Sequence, residues 1–87
     1  MKTIYRYTIE PNGIVTLPWG YEVLKIEWSI MHDEACLWAI VDTNESMVSV
    51  HLETVPTGSP LPAGVSSQGY LGSFQEPSGL VFHVFKY

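Results

Sequence analysis

Alternating apolar and polar residues, turn residues at regular intervals and no apolar stripe at a 3.6-residue period predict an all-β chain. The expected architecture is a small antiparallel β-sandwich or partly closed barrel of six to seven short strands, in a single domain spanning residues 1–87.

The first strand is expected over residues 3–9, with Tyr5, Tyr7 and Ile9 on one face and Ile4, Arg6 and Thr8 on the other. Glu10-Pro11-Asn12-Gly13 turns it, because proline presets φ and Asn-Gly tolerates positive φ. A short strand at 14–17 is stopped by Pro18-Trp19-Gly20. The cleanest alternation follows: Leu24, Ile26, Trp28 and Ile30 are expected inward, with Val23, Lys25, Glu27 and Ser29 toward water. Residues 36–41 are apolar on both faces and, being β-branched and aromatic over only six residues, read as a central strand with Trp38 in the core. Trp28 and Trp38 are both expected to satisfy their indole N–H groups. Residues 47–55 alternate again. Residues 56–67 hold three prolines and two glycines, which exclude a helix or central strand and leave a crossover. A strand at 70–74, a turn at 75–79 and the apolar run 80–87 complete the chain.

That final run, Leu80-Val81-Phe82-His83-Val84-Phe85-Lys86-Tyr87, is apolar on both alternating faces, so it reads as a strand covered from two sides. A single small sheet stack has few places for two such strands. The C-terminal one is therefore expected to complete its burial against another protomer, with His83 near the seam.

Composition narrows the partners. The chain is 46% apolar but only 15% charged, against a usual share of about 25%. Apolar area left uncovered on so small a body points to a homo-oligomer. Nine carboxylates against Lys2, Arg6, Lys25 and Lys86 give a net charge of -5. Four scattered cations make no phosphate-binding stripe, which argues against duplex nucleic acid. No run of about 18 apolar residues and no signal peptide is present, so no membrane partner and a cytoplasmic location are expected. Cys36 is the single cysteine, excluding an internal disulfide, and reads as a small buried hydrophobe.

Chemistry-bearing patterns are sparse. His32, His51 and His83 could each act as a base, but no serine or cysteine sits in a nucleophile elbow, and no glycine pattern cradles a phosphate. No catalytic residue, metal ligand set or cofactor is assigned, and a non-enzymatic protein is expected. Binding candidates lie on turns. Trp19 and Tyr21 occupy a Pro-Trp-Gly-Tyr turn that can present aromatics to a partner. Thr57, Gly58 and Ser59 open the proline-rich crossover, whose hydroxyls and backbone amides could cup a small anion with help from Arg6.

Taken together, Met1-Lys2-Thr3-Ile4-Tyr5-Arg6-Tyr7, Leu17-Pro18-Trp19-Gly20, Cys36-Leu37-Trp38-Ala39-Ile40-Val41-Asp42, Thr57-Gly58-Ser59-Pro60-Leu61-Pro62, Tyr70-Leu71-Gly72-Ser73-Phe74 and Leu80-Val81-Phe82-His83-Val84-Phe85 span nearly the whole chain. In this order they resemble a family of short bacteriophage and prophage proteins without an established activity. This chain reads Thr-Gly-Ser where that family reads Thr-Gly-Thr or Thr-Gly-His. The resemblance implies a phage accessory protein that counteracts a host defence, by occluding a host protein or sequestering a small nucleotide signal. Its alternative is a minor virion structural or assembly protein.

Overall fold

Each apolar alternation in the sequence becomes a strand in the computed structural model, which describes residues 1–87. Seven strands form: β1 (Lys2–Thr8), β2 (Ile14–Pro18), β3 (Glu22–Ser29), β4 (Glu34–Asp42), β5 (Met47–Pro56), β6 (Tyr70–Gln75) and β7 (Val81–Lys86). A single 3-10 turn, Ser67–Gly69, precedes β6. No helix is long and apolar enough to cross a membrane.

The strands make two antiparallel sheets, in the orders β1-β4-β3 and β2-β5-β7-β6. They pack as a sandwich around Val15, Leu17, Ile26, Leu37, Ala39, Val41, Leu52, Phe74 and Val84. An aromatic stack crosses the core: Trp28 lies on Phe74, with ring centroids 6.1 Å apart, and Phe74 on Phe82 at 5.4 Å. Where β6 meets β3, a Cβ on Gly72 would stand 2.9 Å from Ile26 Cγ1, so glycine there permits the close approach. The sequence Glu-Pro-x-Gly occurs twice as a turn, at 10–13 and 76–79. Each time the glycine N–H donates to the glutamate carbonyl at 2.9 Å, and the glycine takes positive φ.

β4 is the central strand of its sheet, as its two apolar faces require. Those faces differ, however. Leu37, Ala39 and Val41 enter the sandwich, while Trp38 is half-buried on the opposite face rather than in the core. Its indole N–H donates to Glu27 Oε2 at 2.6 Å. Trp28 reverses the other expectation: it packs against the core, yet its buried indole N–H has no partner.

β3 also departs from strict alternation. A register shift between Val23 and Lys25 inserts Leu24 as an extra residue, and a bulge of this kind changes which face the flanking residues share. Val23 therefore packs against the core and Leu24 is exposed, the reverse of the simple pattern. Ile30 lies beyond the strand end, at the turn tip, where it and Met31 are each 88% exposed.

β7 sits between β5 and β6, and the single chain covers both its faces. Val84 is 0% exposed on the core side, and Phe85 is 9% exposed on the other, with the Tyr70 ring edge-on to it at 5.5 Å. The double burial read in the sequence is thus met within one chain, which removes the reason for placing a protomer seam at this strand.

β5 is paired on two different edges. Residues 47–51 pair with β2, and Leu52 to Pro56 pair with β7. The Leu52 N–H donates to Gly13 on the β2 side, while the His51 carbonyl accepts from Tyr87 on the β7 side. Successive residues of a strand point their polar groups to opposite edges. The β7-side edge of the first half of β5 therefore has no strand beside it.

Candidate functional site

That open edge borders a groove. Its cavity of about 530 Å3 is lined by residues 19–21 of the β2–β3 turn, 48–51 of β5 and 86–87 at the end of β7. The turn positions its aromatics because Pro18 ends β2 and Gly20 reverses the chain with φ of 83°, leaving Trp19 64% exposed. The Trp19 backbone is fixed by donation of its N–H to the Ser46 carbonyl at 2.8 Å. Trp19 also borders a smaller cavity of about 200 Å3 shared with Lys2, Asp42 and Glu45.

Two aromatic pairings shape the groove. The Lys86 ammonium lies 5.7 Å from the centroid of the Tyr21 ring, within cation–π range. The rings of His51 and Tyr87 meet edge-on at 6.3 Å. The chain's ion pairs are Met1–Asp42, Arg6–Glu34 and Lys25–Glu27, so Lys86 is committed to no carboxylate side chain.

The groove thus unites Trp19 and Tyr21 but none of the other sequence-predicted binding residues. Arg6 lies on the outer face of the three-stranded sheet, where its guanidinium reaches Glu34 at 3.4 Å and Thr8 donates a hydrogen bond to the same carboxylate. The Thr8 bond and the nearby guanidinium hold the Glu34 carboxyl below the usual range. Beside it, Lys25 and Trp38 together hold the Glu27 carboxyl low. Cys36 is fully buried against this network, and burial pushes its thiol up, away from the reactive thiolate.

Thr57 and His83 do come together, on the outer face of the four-stranded sheet. The Thr57 hydroxyl donates to the Val81 carbonyl at 3.1 Å, so it accepts from His83 Nε2–H at 2.7 Å. His83 Nδ1 is then an acceptor for Ser73 Oγ at 2.7 Å, and Ser73 accepts from the Tyr70 hydroxyl at 2.6 Å. Both imidazole nitrogens are satisfied by hydroxyls, and no carboxylate joins the chain. Thr57 and Gly58 are the central residues of a tight turn, closed by Ser59 N–H donating to Pro56 O at 3.1 Å. Arg6 makes no contact with this loop, so the expected anion cup is not assembled: its guanidinium and its amides belong to different sheets. No three His, Cys, Asp or Glu side chains converge as a metal site.

Sequence reasoning missed His51, Lys86 and Tyr87 as neighbours of Trp19, because they come from segments more than thirty residues away. The one local signal was Lys86, a cation interrupting the terminal apolar run.

No curated protein and no solved structure matches the chain. A family model described as a domain of unknown function, DUF7352, matches residues 1–87, and the chain belongs to that family.

Proposed function

We propose that this protein is a non-enzymatic binding module whose recognition surface is the groove of Trp19, Tyr21, His51, Lys86 and Tyr87. The observation that carries the reading is an indole left 64% exposed on a backbone fixed by hydrogen bonding, beside an unpaired cation. Exposed, preorganised aromatics next to a cation are the usual energetic centres of protein interfaces. In the phage setting that the sequence resemblance implies, the module occludes a host protein. Sequestration of a nucleotide signal is less well supported, since Arg6 and Lys25 are already paired with carboxylates and Thr57 with His83. The 88% exposed Ile30 and Met31 at the β3–β4 tip support a second contact, either with another copy of the chain or within a larger particle.

Capture from host lysate by immobilised protein, followed by identification of the bound partner, tests this. The expected result is one partner whose affinity falls at least about tenfold in Trp19→Ala with the fold intact. Capture indifferent to Trp19 and Lys86, or tight calorimetric binding of a cyclic dinucleotide alone, overturns it. Light scattering gives the oligomeric state, and recovery of the chain in purified virions would shift the reading to a particle component.

A further inference from the structure

The groove has a second property, carried by backbone rather than side chains. Along residues 47–51 of β5, the N–H and C=O groups of Val48 and Val50 point to β2, where the ladder is complete. Those of Met47 and Ser49 point the other way. β7 would be their neighbour, but it pairs with β5 only from Leu52 onward, and the last bond across is Tyr87 N–H to His51 O at 3.2 Å. No turn or loop backbone bond and no side chain supplies Met47 or Ser49 with a substitute. Two donors and two acceptors are therefore presented in strand geometry, in line with β7, beside Trp19 and Tyr21.

We infer that this edge binds an extended acidic peptide segment of a partner as an added β-strand, hydrogen-bonded to Met47 and Ser49 and continuing the line of β7. The inference rests on the binding role of the groove and specifies how the partner is held. A strand is the form of ligand that satisfies alternate N–H and C=O groups on one edge. Its acidity follows from charge complementarity: the lining includes Lys86 and His51 and no carboxylate side chain, on a chain with nine carboxylates elsewhere. Pairing of Lys86 with Leu52 puts Lys86 on the same face of β5 as Val48 and Val50, over Tyr21. Guest residues opposite Val48 and Val50 therefore favour acidic side chains, those hydrogen-bonded opposite Met47 and Ser49 favour apolar ones, and the preferred pattern alternates apolar and acidic.

The test is NMR titration with a capped peptide, acetyl-Val-Glu-Val-Glu-Val-amide, at millimolar concentration. The expected result is protection of the Met47 and Ser49 amides from hydrogen exchange, with shifts at Trp19 and Tyr21. N-methylation of the central valine is expected to weaken binding about tenfold, because it removes pairing without changing charge. Ser49→Pro, at an exposed edge residue whose N–H is not used by β2, is expected to fold and lose the peptide. Peptide binding that N-methylation does not change, with Met47 and Ser49 unprotected, overturns strand addition while leaving groove recognition standing. Loss of host-partner capture on Trp19→Ala together with no peptide binding has the same meaning. Concentration-dependent protection of the two amides in the free protein would instead make a second copy the occupant and overturn the peptide assignment.

Discussion

On the outer face of the three-stranded sheet, one carboxylate, Glu27, holds both a lysine and a tryptophan: Lys25 at 3.1 Å and the Trp38 indole at 2.6 Å. In the groove beside β5, Lys86 and Trp19 have the same side chains and no carboxylate. The first face is internally satisfied, so a partner would have to displace existing bonds. The second has its polar and aromatic groups ordered but unspent. Residue type does not separate the two regions; the company each residue keeps does.

The comparison needs a reference in the core, and the largest effect is expected there. Phe74 stacks between Trp28 and Phe82 and is buried, so Phe74→Ala should cost about 3–5 kcal/mol in urea unfolding, close to the full stability of so small a domain. A cost under about 1 kcal/mol would mean that the aromatic stack does not join the sheets. Gly72→Ala comes next. The added Cβ meets Ile26, and φ of 155° is unfavourable for any side chain, so a loss of about 1–3 kcal/mol is expected by the same measurement.

The two outer tryptophans then separate the regions directly. Trp38→Ala should destabilise by about 1–2 kcal/mol, because a half-buried ring and its packing on Lys25 are lost. The same face should respond to acid. Glu27 and Glu34 titrate below the ordinary carboxylate value when folded, and near about 4.3 when unfolded. Their contribution is therefore complete above that value and is lost as pH falls through the lowered folded values. Urea midpoints measured from neutral to acid pH should fall less steeply in Glu27→Gln than in the parent; equal slopes would mean that this carboxylate is not held. Trp19→Ala should change stability by no more than about 0.5 kcal/mol, since the ring is mostly exposed, and its effect should appear in partner binding alone. If Trp19→Ala unfolds the protein, the groove aromatic is structural and the contrast between the faces fails.

Much of the architecture was legible because β-sandwiches advertise themselves locally. The separation of Tyr7 and Ile9 from Arg6 and Thr8 onto opposite faces of the first strand, the two Glu-Pro-x-Gly turns and the central place of β4 all follow from period-two patterning and turn chemistry. What was illegible depended on contacts between distant segments. Cys36 to Val41 is apolar on both faces, and nothing in it says which face receives the second sheet, so its pattern alone places the half-buried Trp38 in the core. The bulge at Leu24 leaves the residue types unchanged while altering their direction. The split pairing of β5 is invisible for the same reason: ten residues alternate without interruption, and only the lengths and registers of β2 and β7 decide where each partner stops. Trp19 and Tyr21 were found from their turn, but the groove that gives them neighbours was not.

Split pairing also sets how the fold can come apart. β2 and β7 never meet; each is tied to its sheet through a different half of β5, with the handover at His51 and Leu52. The sheet is in effect two ladders sharing a spine, and their boundary is one peptide unit wide. Local opening can release β2 and the turn carrying Trp19 while β5, β7 and β6 keep their ladder, as cooperative units of differing stability do in small domains. Exchange of the Val48 and Val50 amides would then report one opening event and that of Glu53 and Val55 another, making the chain's single longest strand the border between two units of unfolding.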